Sequence, residues 1–432
     1  MMHKYLMLVS MSFATVACAD KPIVSWIDTQ MPALIETYQW LHAHPEVSFE
    51  EKETASFVAG AWRESGYDVT TEIGGYGIVG ILKNGDGPIV MLRTDLDALP
   101  VTEQTPLPFA STVTTEREGG GTTGVMHACG HDLHMTNLIG VAKYLAEHKS
   151  RWSGTLMLVG QPAEERGAGA AAMLQDGLFE RFPQPDFAVA LHVHGEIEAG
   201  TVAVMPGYAL ANVDSVDITV KGRGGHGSAP HTTIDPIMQA AELIVSLQTI
   251  VSREVKPIEP AVVTIGSIHG GTKHNIIGND CKLQLTVRSY SDEVRQKVLG
   301  AIKRKANAVA AGYDAPAPEI IISEGTPSLK NDAKLTKRLR QVFIDQLGAD
   351  AVSDDEPSMG GEDFSRYGRA GVPIVMYRLG SVSRQRLDRF EKMQIPPPSL
   401  HSAVYYPDVV PALRTGIQTM AAAAMELLQA AD

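Results

Sequence analysis

Leu156-Met157-Leu158-Val159-Gly160-Gln161-Pro162-Ala163-Glu164-Glu165 is the stretch that decides the fold class. Its apolar run, closed by a Gln-Pro pair, reads as a strand buried on both faces. Two adjacent carboxylates then stand at the strand's carboxyl end, which is where open α/β sheets place their chemistry. Working outward, Pro88 to Leu92 and Phe187 to Val193 read as further strands. Leu133 to Glu147 reads as a helix whose inner stripe is Leu138, Val141, Ala142 and Leu145. Strands alternating with helices imply an α/β fold, a mostly parallel sheet flanked by helices.

The pattern changes near Asn212. Val213 to Val220 alternates, Asp235 to Arg253 is helical, and Ala261 to Ile268 and Lys282 to Ser289 alternate again. Asp292 to Ala311 is a second helix and Glu319 to Ser323 a last strand. That β-α-β-β-α-β order is the ferredoxin-like arrangement. After Ser328 the α/β pattern resumes, with a helix at Ala333 to Leu347, a strand at Pro373 to Leu379 and a C-terminal helix. The expected organisation is a discontinuous catalytic domain, 20–210 plus 328–432, interrupted by an inserted α+β lid, 211–327.

The chain has 432 residues and 37 Lys+Arg against 50 Asp+Glu, a net charge of −13. An acidic balance of that size argues against a nucleic-acid binder, which needs a clustered positive excess. At 44% hydrophobic and 20% charged, the chain can build substantial cores. Lys4 followed by the mostly apolar run Tyr5 to Ala17, with Ala17-Cys18-Ala19 before Asp20, matches a secretory signal peptide over 1–19 and predicts a periplasmic protein. Lipoprotein anchoring through Cys18 is the rival reading, but Thr15 fits its usual apolar start poorly. No later segment has eighteen consecutive apolar residues, so no membrane span is expected. Cys281 in an alternating strand reads as a small core residue. Cys129, between two histidines in a glycine-bearing loop, does not.

Several motifs are weaker than they look. Gly75-Tyr76-Gly77-Ile78-Val79-Gly80 spells the dinucleotide fingerprint but runs into Ile81-Leu82 and then Asn84-Gly85, hairpin chemistry rather than a helix start. His42 and His44 resemble a metal pair, yet at the end of an amphipathic helix next to Pro45 a capping or surface role is expected. There is neither a Gly-x-Ser-x-Gly elbow nor a P-loop. By contrast, His127, Cys129, His131 and His134 pack four donors into eight positions before a helix, and clustered Cys and His are usually ligands. His192 and His194 share a strand face, because strand side chains repeat every two residues. His401 follows a proline-rich loop. Donors at several strand ends point to one joint site.

Met126-His-Ala-Cys-Gly-His-Asp132, Gln161-Pro-Ala-Glu-Glu165, Gly224-Gly-His-Gly-Ser-Ala-Pro-His231 and Gly361-Glu-Asp-Phe364 together resemble the bimetallic amidohydrolases, the group of hippurate hydrolases, aminoacylases and indoleacetyl-amino acid hydrolases. The likeness extends over Leu41 to Glu50 and Arg93 to Pro100. It implies two divalent cations, Mn²⁺ or Zn²⁺, with Cys129 bridging them and His131, Glu165, His192 and His401 completing the ligands. It implies Glu164 as general acid/base and His226 as the lid residue that reaches a neighbouring subunit's site. It also implies Asn275 and Arg288 as partners of the substrate carboxylate, and a homodimer built through the lid. Asp95 and Asp97 are then orienting groups. The chain departs from the family pattern at Asn275-Ile-Ile-Gly278, where Asn-Val-Ile-Pro is usual. The glycine run 119–121 and the segment Ser381 to Pro398 are further departures. The expected reaction is hydrolysis of an N-acyl amino acid. A dipeptidase or carboxypeptidase of the same fold, or a non-catalytic exported metal-binding protein, are the alternatives.

Overall fold

The computed structural model describes residues 22–117 and 119–429. The expected leader, 1–19, lies outside them. The centre of the fold is an eight-stranded sheet. Its spatial order runs Asp68–Ile73, Gly77–Asn84, Gly154–Gln161, Ile89–Asp95, Phe187–Glu198, Ile374–Val382, Val202–Ala203 and Val352–Ser353. The sheet is mixed. The four long strands from Gly154 to Val382 in that order run parallel, whereas the Asp68 and Gly77 strands and the Val202 strand join antiparallel. The Asn84-Gly85 pair does not turn a hairpin. The hairpin sits earlier, at Gly74 and Gly75, whose φ values of +64° and +104° suit glycine. A Cβ on Gly74 would also stand 2.4 Å from the Ala172 carbonyl carbon.

Period-2 alternation splits the parallel strands between two cores. Val90, Leu92, Leu156, Leu158, Val189, Leu191, Tyr377 and Leu379 face one core, covered by the helices Pro22–Ala43, His131–Glu147 and Val409–Leu427. Met91, Met157, Val159, Ala188, Ala190, Ile374 and Met376 face the other. Truncating one such side chain, Leu158→Ala for instance, costs about 2–5 kcal/mol. The His131–Glu147 helix is buried far beyond its expected stripe, because helices and sheet enclose it together. On the second face the apolar residues give way to polar ones at the carboxyl ends. Met91 is followed by Arg93 and Asp95, Val159 by Gln161, Ala190 by His192 and His194, and Met376 by Arg378. This change of character builds the site.

The chain leaves this body along Gly207–Leu210 and returns along Leu329–Asn331, and the two segments pair antiparallel. Between them lies a four-stranded antiparallel sheet in the order Ala261–Gly270, Asp280–Ser289, Asn212–Lys221, Glu319–Glu324. Two helices cover one face. Asp235 caps Pro236–Thr249 by accepting the Ile237 N–H at 2.9 Å, and Ser291 caps Asp292–Gly312 through the Val294 N–H at 3.2 Å. Val216, Ile218, Leu283, Leu285 and Val287 form that face's core together with Cys281.

Candidate metal centre

Gly130 has φ +77°, and a Cβ there would meet the Val193 Cγ2 at 2.7 Å. Only glycine lets the chain turn so tightly that Cys129 and the first helical residue, His131, converge. The Cys129 Sγ lies 3.5 Å from the His192 Nε2 and 3.3 Å from the His401 Nε2. His401 is carried at φ +67° by a loop tied to the Cys129 turn through its N–H and the Ala128 carbonyl, 2.9 Å. Its Nε2 is 3.4 Å from the Glu165 Oε2. Cys129 therefore belongs to two three-donor groups, one with His131 and His192 and the other with Glu165 and His401. In each group the ligand atoms lie within 4.8 Å of one another.

Hydrogen bonds fix which ring nitrogen is available. The His131 Nδ1 donates to the Asp97 carbonyl at 2.7 Å and the His192 Nδ1 to the Val193 carbonyl at 2.9 Å, so each Nε2 faces the cluster. The His131 Nε2 and the Glu165 Oε1 are buried without hydrogen-bond partners among the described residues. Around the His131 Nε2 stand Asp95 at 3.6 Å, Glu165 at 3.8 Å and Glu164 at 3.9 Å. Burial opposes a charged imidazole, but Asp95, Asp97 and Glu165 outweigh it and push His131 up to about 10. Burial, then the Glu362 and Glu165 charges, push Glu164 well above the usual carboxylate range. Burial and the Glu165 and Glu164 charges likewise raise the Cys129 thiol. Such crowding of acids favours positive charge at the centre, and two orphaned donor atoms beside a thiol fit metal cations.

A buried network supports the cluster. The His134 Nδ1 donates to Asp95 at 2.8 Å, and the His134 Nε2 accepts the Val193 N–H at 2.9 Å. Arg93 is buried and reaches Asp95 at 2.8 Å, Glu362 at 2.9 Å, the Gln161 Oε1 at 3.1 Å and Asp363 at 3.3 Å. His42 is neither a cap nor a surface residue. It is buried between Asp132, 2.7 Å from its Nδ1, and Glu103, 3.0 Å from its Nε2. His44 is exposed and stacks on Trp40. His127 is buried, and among the described residues neither of its ring nitrogens has a hydrogen-bond partner.

The cluster opens into a cleft of about 500 Å³ whose lining includes Cys129, Glu164, Glu165, His192, His401 and, from the lid, Arg288. The Arg288 Nε donates to the Thr286 Oγ1 at 3.0 Å and its Nη1 to the Met359 carbonyl at 3.0 Å. His226 and Asn275 do not line this cleft. They stand exposed on a two-stranded ribbon of the lid, where His226 pairs with Ile276 and the Asn275 carbonyl accepts the Gly227 N–H.

The profile of peptidase family M20/M25/M40 matches residues 91–406. The chain belongs to that family. It is similar to the hippurate hydrolase of Campylobacter jejuni, 39% identical over 75% of this chain and 82% of the relative. It is also similar to the N-acetyl-L-cysteine deacetylase of Bacillus subtilis, 36% identical over 79% of each. Among solved structures it resembles the Bacillus subtilis YxeP protein, described as a dinuclear metal-binding peptidase of the M20 family. That match has a TM-score of 0.76 at 31% identity and covers 93% of this chain and 99% of the other. This M20/M25/M40 member is accordingly a metal-dependent amide or peptide hydrolase with an α/β catalytic body. Among the described residues no helix is long and apolar enough to cross a membrane.

Arg93, Glu362 and Asp363 are the site residues that motif reading left without a role, and His134, expected as a donor of the cluster, has both ring nitrogens engaged by Asp95 and the Val193 N–H. The signal was present in Arg93 itself, a guanidinium inside an apolar strand, which folds only if several carboxylates meet it.

Proposed function

We propose that the protein hydrolyses N-acyl amino acids to a carboxylic acid and a free amino acid. Two divalent cations, Mn²⁺ or Zn²⁺, would be held by Cys129, His131, Glu165, His192 and His401. The observation that carries this reading is Cys129 standing in two donor groups at once, beside Glu164, a cleft-lining carboxylate that shares a donor group with His131 and Glu165 but neither of those that contain Cys129. A thiolate has lone pairs enough to span two cations, and such cations lower the pKa of water and polarise a carbonyl when bound.

The chain's own residues do the rest. Glu164 takes a proton from water and delivers it to the leaving nitrogen, a delivery amide cleavage needs because an amine anion is a very poor leaving group. Arg288 receives the substrate carboxylate with its fork of donors. His226 and Asn275, exposed on the lid ribbon, serve the cleft of a second copy, His226 steadying the oxyanion. The exposed apolar residues Ile237, Met238, Val245, Ile258 and Ile268 on the lid support a homodimer. Residues 1–19 act as an export leader in this reading, and N-terminal sequencing of the mature protein tests that.

The deciding assay presents hippurate, N-acetyl amino acids and dipeptides to the purified protein before and after chelation. Release of amino acid from the N-acyl substrates, its loss on chelation and its return with Mn²⁺ or Zn²⁺ support the proposal. Cleavage of dipeptides alone overturns it in favour of a peptidase.

A further inference from the structure

Arg378 lies in the strand Ile374–Val382, all nine of whose residues are buried, and is itself only 9% exposed. It continues the row of Ile374 and Met376 on the sheet's second face and stands in register with His192 on the neighbouring strand. Its side chain lines the metal-centre cleft. A guanidinium carries five N–H donors and no acceptor, and burying it is costly unless those donors are used. Arg93, in the adjoining part of the same face, meets three carboxylates and an amide. Arg378 is different. Among the described residues its one ion pair is through Nε to the Asp355 Oδ2 at 3.6 Å, longer than a hydrogen bond. Its terminal nitrogens have no hydrogen-bond partner there.

His194, two residues past His192 on the same strand face, also lines the cleft. Its Nδ1 accepts the Glu196 N–H at 3.3 Å, so in the neutral ring Nε2 carries the proton and is a second donor. The cleft thus has donors on the sheet side, Arg378 and His194, distinct from Arg288 on the lid side.

We infer that Arg378, with His194, binds a second carboxylate of the substrate, so that the preferred N-acyl amino acids are dicarboxylates. This rests on the reading that Arg288 takes the α-carboxylate. The second carboxylate belongs either to an acidic side chain or to the far end of a dicarboxylic acyl group. Arg378 is a specificity-determining residue here, not part of the proton transfer.

The test compares charged and neutral substrates of similar shape on the metal-loaded, full-length protein, supplied as racemates. One arm is N-acetylglutamate against N-acetylglutamine. The other is N-succinylalanine against N-pentanoylalanine. In at least one arm kcat/KM favours the charged substrate by on the order of ten-fold, carried by KM, as for one charge-assisted hydrogen-bonded pair. The arm that responds identifies the source of the carboxylate. Arg378→Met brings that ratio close to one, and Arg378→Lys restores part of it. If neutral amides are cleaved with no charged preference in either arm, or if Arg378→Met lowers both members of a pair equally, the inference is overturned while the amidohydrolase reading stands. If no amide is cleaved, calorimetric binding of glutarate against butyrate still decides. Tighter binding of glutarate that Arg378→Met abolishes supports the second carboxylate site, and equal binding overturns it.

Discussion

The carboxylate of Asp97 accepts the backbone N–H of Glu165 at 3.0 Å through Oδ2, and its other oxygen accepts that of Glu164 at 3.2 Å. Ser48 donates to the same carboxylate at 2.6 Å, and the Asp97 carbonyl holds the His131 ring. One residue thus positions both glutamates and a candidate ligand, across a turn in which Ala163 adopts φ +49°. Asp97→Ala leaves two backbone donors without acceptors, at a cost of about 1–3 kcal/mol. It also frees the turn, so metal affinity falls roughly 10–100-fold, as for other groups that orient ligands. Metal titration followed by atomic emission measures this, and an unchanged affinity removes Asp97 from the positioning role.

Glu164 and Glu165 are neighbours with different expected work. Glu165 faces the His401 ring at 3.4 Å, while Glu164 is buried beside the Arg93 network and opens on the cleft. Glu164→Gln keeps the shape and removes the proton carrier. The expected outcome is an unchanged metal content and a turnover lower by a factor on the order of 10² or more. Turnover within a few-fold of the parent removes Glu164 from the proton transfer.

His42 locks the 101–113 segment to the start of the His131–Glu147 helix. Its Nδ1–H reaches Asp132 and its Nε2–H reaches Glu103, which also accepts from the Thr105 hydroxyl and the Ser111 N–H. Burial alone lowers the imidazole pKa, but the hydrogen bonds to the two carboxylates outweigh it and hold His42 at about 9. A folded-state pKa raised from 6.5 to about 9 is worth about 3 kcal/mol. Because the shift is upward, that contribution is complete below pH 6.5 and disappears as pH rises through 9. His42→Gln should therefore lower the denaturation midpoint most at pH 6 and progressively less toward pH 9.5. A difference independent of pH places the stabilisation elsewhere.

Local pattern made the sheet legible, because period-2 alternation and the polar residues that end each strand are written within ten residues of one another. Glu164, Glu165, His192 and the Cys129 turn were visible for that reason. His42 was not, since its partners lie 61 and 90 residues away and nothing beside it in the chain announces them. The strand expected to stop at Leu92 continues through Asp95 because remote Glu362 and Asp363 neutralise Arg93. Arg378 hides in the same way, a charge in the middle of an otherwise apolar strand. The expected Asp235 to Arg253 helix ends its α-helical part at Thr249 and finishes in a π turn over Ile250–Glu254, a local widening that residue spacing does not encode.

His226 gives the sharpest test of assembly. It is exposed on the lid ribbon, its Nδ1 accepting the Ser228 N–H at 3.1 Å, and it does not line the cleft of its own chain. If it acts across a two-fold interface, each cleft needs Glu164 from one copy and His226 from the other. His226→Ala and Glu164→Gln homodimers are then both impaired, yet a mixed dimer contains one cleft with both residues intact. Subunit exchange in an equal mixture should recover about a quarter of the parental activity, since half the dimers are mixed and each has one working site. Action within one chain predicts no recovery at any ratio. Charging the lid surface with Val245→Glu, at a position 70% exposed, should dissociate the assembly in sedimentation and lower activity in parallel. Activity retained by a monomer would assign the oxyanion contact to a residue of the cleft itself.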